Sequence, residues 1–498
     1  MAKFKFTDGA ATPVTYYMDS ASFAGLSATG ATAITLLGTG SISIAGVNSV
    51  TGTSNADTIK LLGVLTAAQA TATFGEATAI SAAVSAFAFD TKTTSSSLID
   101  KLTGAAATET ITLTNSAASG VKVSYSSGSI TLADTLIGTV SIDTITLSAA
   151  SKITYQSASS VAATDIIAGS TGNDNITLTD GVADETTTPV NAVWTLKSGG
   201  GNDTVTGDNG IDVITLNGAS AFTYNTGGGA DSITGSSGGD SIKLGTGATT
   251  FSYTLTGGGT DTITGSTAAD TITIGGGTST TTAVNLAYSS TGTATDTIEL
   301  ANTGSAATDT VTLVTASKVN ITSVNGADTY NGSASADTIT STATAGSTII
   351  SGKGGADILT GTAAAIVDTF AYGLKTESGT TSTTRDTIIN FNAGAAGTTV
   401  DILKFAGMLK GTFSLIAGDR ATSTTATNVA NFTAGGNSEA RFYDTGSYAY
   451  KDAAGVSKTD TGGLLEVDAD GNGSADMTIL LVGVAQSTLA AGDFAWSW

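Results

Sequence analysis

The chain contains no cysteine and no histidine among its 498 residues, and only two prolines, Pro13 and Pro189. Without cysteine there is no disulfide framework and no thiolate metal site. Without histidine there is no Ser-His-Asp triad, no imidazole general base and no zinc site built on His ligands. Cations are scarce as well: 19 Lys plus Arg stand against 41 Asp plus Glu, a net charge of −22. No basic stripe exists to displace the counterions of a nucleic acid, so nucleic acid is excluded as an expected partner. Long apolar runs are also missing. Met477 to Ala485 is among the longest and falls far short of the ~20 residues a membrane helix needs, so no membrane insertion is expected. The N-terminus MAKFKFTDG is not followed by the apolar stretch of a secretory signal peptide.

What the chain has is repetition. Aspartates recur in pairs nine residues apart: Asp203 and Asp212, Asp231 and Asp240, Asp261 and Asp270 in the clearest copies. Asp165 with Asp174, Asp328 with Asp337, Asp134 with Asp143, and Asp100 with Glu109 keep the same interval. The first acid of each pair returns every 28 to 38 residues, through Asp100, Asp134, Asp165, Asp203, Asp231, Asp261, Asp296, Asp328 and Asp357. In the clearest copies a glycine-rich turn precedes the acid, as in SGGGND, and a β-branched apolar residue follows two positions later. An apolar or aromatic segment completes each repeat, with Tyr125, Tyr155, Trp194, Tyr224, Tyr253 and Tyr288 as markers. Alternation of apolar residues with Thr or Ser predicts half-buried strands. Each repeat therefore predicts three short strands, and stacked repeats predict a continuous interior. The expected fold is all-β: a parallel β-solenoid of about nine coils. The expected organisation is an N-terminal β-rich region over 1–95, solenoid repeats over 96–368 and a C-terminal β cap over 369–498.

Stacking like on like has an electrostatic consequence. Carboxylates ~5 Å apart at an effective dielectric of ~20 repel by roughly 3 kcal/mol per adjacent pair. A hard divalent cation reverses that sign, and calcium takes six to eight oxygens from carboxylates and turn carbonyls. Calcium ligands are thus expected at Asp165, Asp174, Asp203, Asp212, Asp231, Asp240, Asp261, Asp270, Asp328, Asp337 and Asp357. Aspartate is also a good turn residue that hydrogen-bonds its own backbone. Both readings stand for Asp57, Asp100, Glu109, Asp134 and Asp143, whose turns lack the glycines. A further loop, Asp468, Asp470, Asn472 and Asp476 with Gly471 and Gly473, has the alternate-ligand spacing of calcium loops.

The glycine-aspartate nonapeptides over roughly 160–360 resemble those of the repeats-in-toxin family. The C-terminal segments DTFAYG, RDTIINFNAG, VDILKF and LLEVDADGNGSADMTILLVGVAQSTLAAGDFAW resemble the β-roll and secretion module of serralysin-type proteins. Asn390 stands where that family usually carries an acid. The resemblance implies folding on calcium and export by a one-step type I channel guided by the C-terminus, hence an extracellular or cell-surface location. It carries no activity over, since no HExxH site can exist. The expected function is a non-enzymatic, self-assembling structural protein, an S-layer lattice or surface filament. Its partners would be itself and, through calcium, anionic cell-surface glycans. Alternatives are a secreted adhesin or matrix protein binding carbohydrate or ice, and a β-helix enzyme acting on polysaccharide.

Overall fold

The structure is a computed structural model. It describes the strands between residues 2 and 61, most of 86–179, the strands of 192–245, and most of 250–416 and 432–497; the longer stretches it leaves out are 8–14, 62–85, 92–98, 157–163, 180–191, 277–284, 301–308 and 417–431. The described chain is nearly all β, in short strands joined by turns. The reason is local. In Thr110–Thr114 the sequence TITLT buries Ile111 and Leu113 and turns its threonines outward; in Lys122–Ser126 Val123 and Tyr125 are buried. β-branched residues suit a pleated, half-buried surface, and full burial of each Ile contributes about 1.5–3 kcal/mol.

The chain divides into two compact units, Met1–Gly245 and Thr246–Trp498. Solenoid strands occur in both. In the first unit Ala2–Thr7 pairs antiparallel with Thr15–Ser20, which pairs antiparallel with Ser41–Ala45. From there the pairing is parallel, each strand with the next but one. Asp100–Thr103 pairs with Lys122–Ser126, and that with Thr144–Leu147, in one sheet. Thr110–Thr114 pairs with Asp134–Ile137, and that with Lys152–Gln156, in the other. This is the expected parallel β-solenoid, with its two sheets facing each other across one interior.

The winding differs from the expected three-strand coil. Pairing with the next but one strand means that a turn holds two strands, so a three-strand repeat covers one and a half turns. Successive repeats therefore begin in opposite sheets: Asp100 opens a strand of one sheet and Asp134 a strand of the other. Two strands suffice because one inward layer from each sheet fills the space between them. Tyr125, Tyr155, Tyr224, Ile111, Ile145 and Ile176 are all within 1% of full burial in the first unit.

The second unit winds the same way from Thr250–Leu255 to Ile402–Ala406. Its last strands pair differently. Asp386–Ile389 pairs parallel with Met477–Leu481, which pairs antiparallel with Leu464–Asp468, and that strand antiparallel with Glu439–Tyr443. Phe494–Ser497 pairs parallel with Ile402–Ala406.

Candidate functional site

One and a half turns per repeat has a direct effect on the acids. The second acid of one repeat becomes the lateral neighbour of the first acid of the next. Glu109 lies beside Asp134, Asp143 beside Asp165 and Asp174 beside Asp203 in the first unit. Asp270 lies beside Asp296, Asp309 beside Asp328 and Asp337 beside Asp357 in the second. The other neighbour is uncharged for most first acids, Val123 for Asp100, Ile153 for Asp134 and Val319 for Asp296; Asp357 differs, with Asp386 on its far side. Most of these acids thus stand in couples separated by an uncharged residue, while Asp337, Asp357 and Asp386 follow one another without a break; a ladder running through the whole array, as expected from the sequence, does not form.

All of these coupled acids are buried. Within a couple, Oδ1 of the following acid accepts the backbone N–H of the preceding one. The distances are 3.1 Å for Glu109 to Asp134, 2.8 Å for Asp143 to Asp165, 3.0 Å for Asp174 to Asp203, 3.0 Å for Asp270 to Asp296, 3.1 Å for Asp309 to Asp328 and 2.8 Å for Asp337 to Asp357. The preceding acid does the same one turn earlier: Val121, Ser151 and Ser317 donate N–H to Asp143, Asp174 and Asp337 at 2.7–2.8 Å.

The second oxygen closes the acid's own turn. Ser170, Ser236, Ser266 and Ser333 donate N–H to Oδ2 of Asp174, Asp240, Asp270 and Asp337, each four residues on, at 2.6–2.8 Å. Their hydroxyls bond the same carboxylates. Sequence reasoning missed this serine, although its fixed place four residues before the acid was visible. The tyrosines have a polar role as well. Tyr125 donates its hydroxyl across the interior to Asp134 at 2.6 Å, Tyr155 to Asp143 at 2.9 Å, Tyr224 to Asp231 at 3.0 Å and Tyr288 to Asp296 at 2.7 Å.

Burial without a cation costs these groups their ordinary acidity. It pushes Asp100 up to about 7, with Asp57 adding repulsion against the opposing backbone N–H. Glu109 rises to about 7 for the same reasons, Asp134 being its charged neighbour, and Asp203 to about 6. Asp134, Asp174 and Asp337 are raised by burial and held back by their N–H and hydroxyl donors. Asp357 and Asp386, neighbours in one column, are both raised, again chiefly by burial. One oxygen each of Asp100 and Asp357 accepts no hydrogen bond.

The expected calcium ligands Asp165, Asp174, Asp203, Asp231, Asp240, Asp261, Asp270, Asp328, Asp337 and Asp357 are all buried at or beside the first residue of a strand. Asp212 opens the strand Asp212–Leu216, next to Asp231. The couples shown above turn carboxylate oxygens toward N–H groups. Among the described residues they never bring three carboxylates within 4.8 Å of one another. The glycine turns that would add carbonyls, 198–202, 226–230 and 256–259, lie outside the described residues. A described turn, 352–356, needs its glycine for sterics: Gly355 has φ +139°, and a Cβ there would fall 2.6 Å from the Ser335 carbonyl carbon in the turn beneath.

The C-terminal loop is different. Among the described residues Asp468, Asp470 and Asp476 are the one group whose carboxylates converge within 4.8 Å. Asp468 accepts N–H from Gly471, Asn472 and Gly473 at 2.7–3.2 Å, with Gly471 at φ +69° and Gly473 at φ +90°. Asp476 accepts N–H from Ala469 and Asp470 through Oδ2. Oδ2 of Asp470 and Oδ1 of Asp476 are then free to face a cation, and they face one: the Lys375 ammonium, at 2.6 and 3.0 Å. Asn472 accepts the Ser474 N–H through its side-chain oxygen. Lys375 was not legible as the partner of this loop because it lies 95 residues upstream of Asp470. Compared with known proteins, the chain matches no family model and no curated sequence.

Proposed function

We propose that this chain is an exported, non-enzymatic structural protein that assembles with copies of itself into an extracellular lattice or filament, and that calcium favours its folded state. The observation that supports the reading is the use of the repeated acid. It is the most regular feature of the chain, and it pins backbone inside both units rather than lining a cleft. A sequence whose repeats all build scaffold is suited to being scaffold. The net charge of −22 keeps free copies apart and makes their association responsive to cations.

Calcium enters at two places in this proposal. One is the set of glycine turns before Asp203, Asp231 and Asp261, as the repeats-in-toxin resemblance implies. The other is the loop Asp468–Asp476, where it would take the place of the Lys375 ammonium. Coupling of folding to metal also accords with passage of an unfolded chain through a type I channel. Electron microscopy of the purified chain with calcium and then with chelator tests the reading. Ordered assemblies that dissolve on chelation are expected. Monodisperse single copies in both conditions would overturn it.

A further inference from the structure

The C-terminal strand is docked by a column of acids that no glycine repeat announces. Asp368, Asp401 and Asp493 are each fully buried, at 0% exposure. Asp401 is the middle member: its Oδ1 accepts the Asp368 N–H at 2.8 Å and its Oδ2 the Asn392 N–H at 2.7 Å. Asp493 lies at the entry to Phe494–Ser497 and ties it down through two N–H groups, Gly394 at 3.0 Å and Ala490 at 2.7 Å. Asp368 accepts the N–H of Thr362. The strand beyond Asp493 adds one parallel pairing, on Ile402–Ala406.

Among the described residues no cation is seen to act on this column. Asp401 is acted on by the carboxylates of Asp368 and Asp493. Asp368 is met by hydroxyls of Thr348 and Thr362, and Asp493 by the backbone N–H groups of Ala490 and Gly394. The nearest lysine in sequence, Lys404, lies on the half-exposed side of its strand, opposite Leu403 and Phe405. Three like charges in one buried column, each already desolvated, cannot all be held cheaply. We infer that this column is a proton-operated latch: the strand Phe494–Ser497 stays docked while the column retains protons and is released as the column becomes fully charged.

The direction follows from which state holds the protons. Burial raises all three acids, Asp401 to about 7. Once the strand is released Asp493 ionises as an ordinary carboxylate near ~4, and Asp401 is freed of the repulsion of Asp493. Between those limits docking takes up protons, so docking weakens as pH rises, by up to about tenfold per pH unit for each proton held only in the docked state. Mild acid closes the latch, and neutral to alkaline pH opens it. The C-terminal segment is then buried in one condition and accessible in the other.

Hydrogen exchange of the full-length chain in excess chelator, from pH 5 to pH 8 and corrected for intrinsic exchange, reads this directly. Protection of the amides in Phe494–Ser497 should fall about tenfold or more across that range, and more steeply than that of Glu439–Tyr443. Equal slopes in the two strands would overturn the latch. Asp401→Asn removes the central charge but sets an amide donor against the N–H groups it faces, so Asp493→Asn is measured beside it. A flattened slope in either variant supports the latch, and the full wild-type slope in both overturns it.

Discussion

The repeat acids and the acids of the loop Asp468–Asp476 are alike in sequence and unlike in place. Asp174 is 2% exposed and meets only backbone and a serine hydroxyl from its own chain segment and the turn before it. Asp470 has a side chain 36% exposed and meets a lysine ammonium. Both follow the pattern of acid near glycine that a calcium site needs. The difference is which donors reach the carboxylate first. Where two turns stack, N–H groups arrive at fixed distances and the carboxylate becomes a part of the backbone network. Where the loop stands at the surface, the remaining oxygens are left for a mobile cation.

Removing the carboxylate from each place puts the comparison at risk. Asp174→Ala strands the N–H groups of Ser151 and Ser170, both buried. At about 1–3 kcal/mol for each orphaned donor, the loss is roughly 2–6 kcal/mol, read as a lower urea midpoint for unfolding of the first unit. Asp470→Ala should leave unfolding close to wild type. Equal losses would mean that burial does not separate the two kinds of acid.

A pH series sharpens the same contrast. Asp100 and Glu109, each raised to about 7 by burial, release their protons near ~4 once unfolded. Folding therefore takes up protons between about pH 4 and 7, and the stability from these groups is present in mild acid and lost as pH rises toward 7. Discounted for partial solvent screening, about 1–2 kcal/mol per group is expected. Urea midpoints measured without calcium should be higher at pH 5 than at pH 7.5. The opposite slope, the usual acid denaturation, would show that the couples are charged in the folded state.

Tyr125→Phe gives a smaller effect. The ring stays in the core and the hydroxyl to Asp134 at 2.6 Å is lost. Asp134 keeps the Glu109 N–H and the Ser127 hydroxyl, so a loss of about 1–2 kcal/mol is expected in the same urea assay. A neutral result would return the tyrosine to a purely apolar role.

The solenoid was legible because its signal is short-range: Thr-Ile-Thr alternation after a turn acid needs only five residues of context. The winding was not. A period of three strands does not say how many strands close a turn, and only the pairing of Asp134–Ile137 with Thr110–Thr114 shows that two do. The couples were hidden for the same reason. Asp174 and Asp203 are 29 residues apart, an interval that looks like two separate columns until the half-turn offset places them side by side. Tyr125 was read as core, which it is, but its hydroxyl partner lies on the facing sheet. Asp368, Asp401 and Asp493 each precede an apolar segment but do not keep the nine-residue interval of the other acids, so their common column was not legible.

Lys375 is where the smallest change in stability carries the most information. Its side chain is 43% exposed, and its two partners are 36% and 12% exposed. Exposed ion pairs of this kind add little to folding, so Lys375→Met should unfold at the wild-type urea midpoint. Binding is another matter. The ammonium sits between the two oxygens that a divalent ion would use, and a tethered cation must leave before a free one enters. Titration calorimetry should therefore show calcium binding at this loop tightening several-fold in Lys375→Met, with the gain abolished by adding Asp470→Asn. The couples, closed by N–H groups, should not respond to either change. Calcium affinity indifferent to Lys375 would mean that the loop is a turn held by Asp468 alone, and that both kinds of acid in this chain serve the backbone.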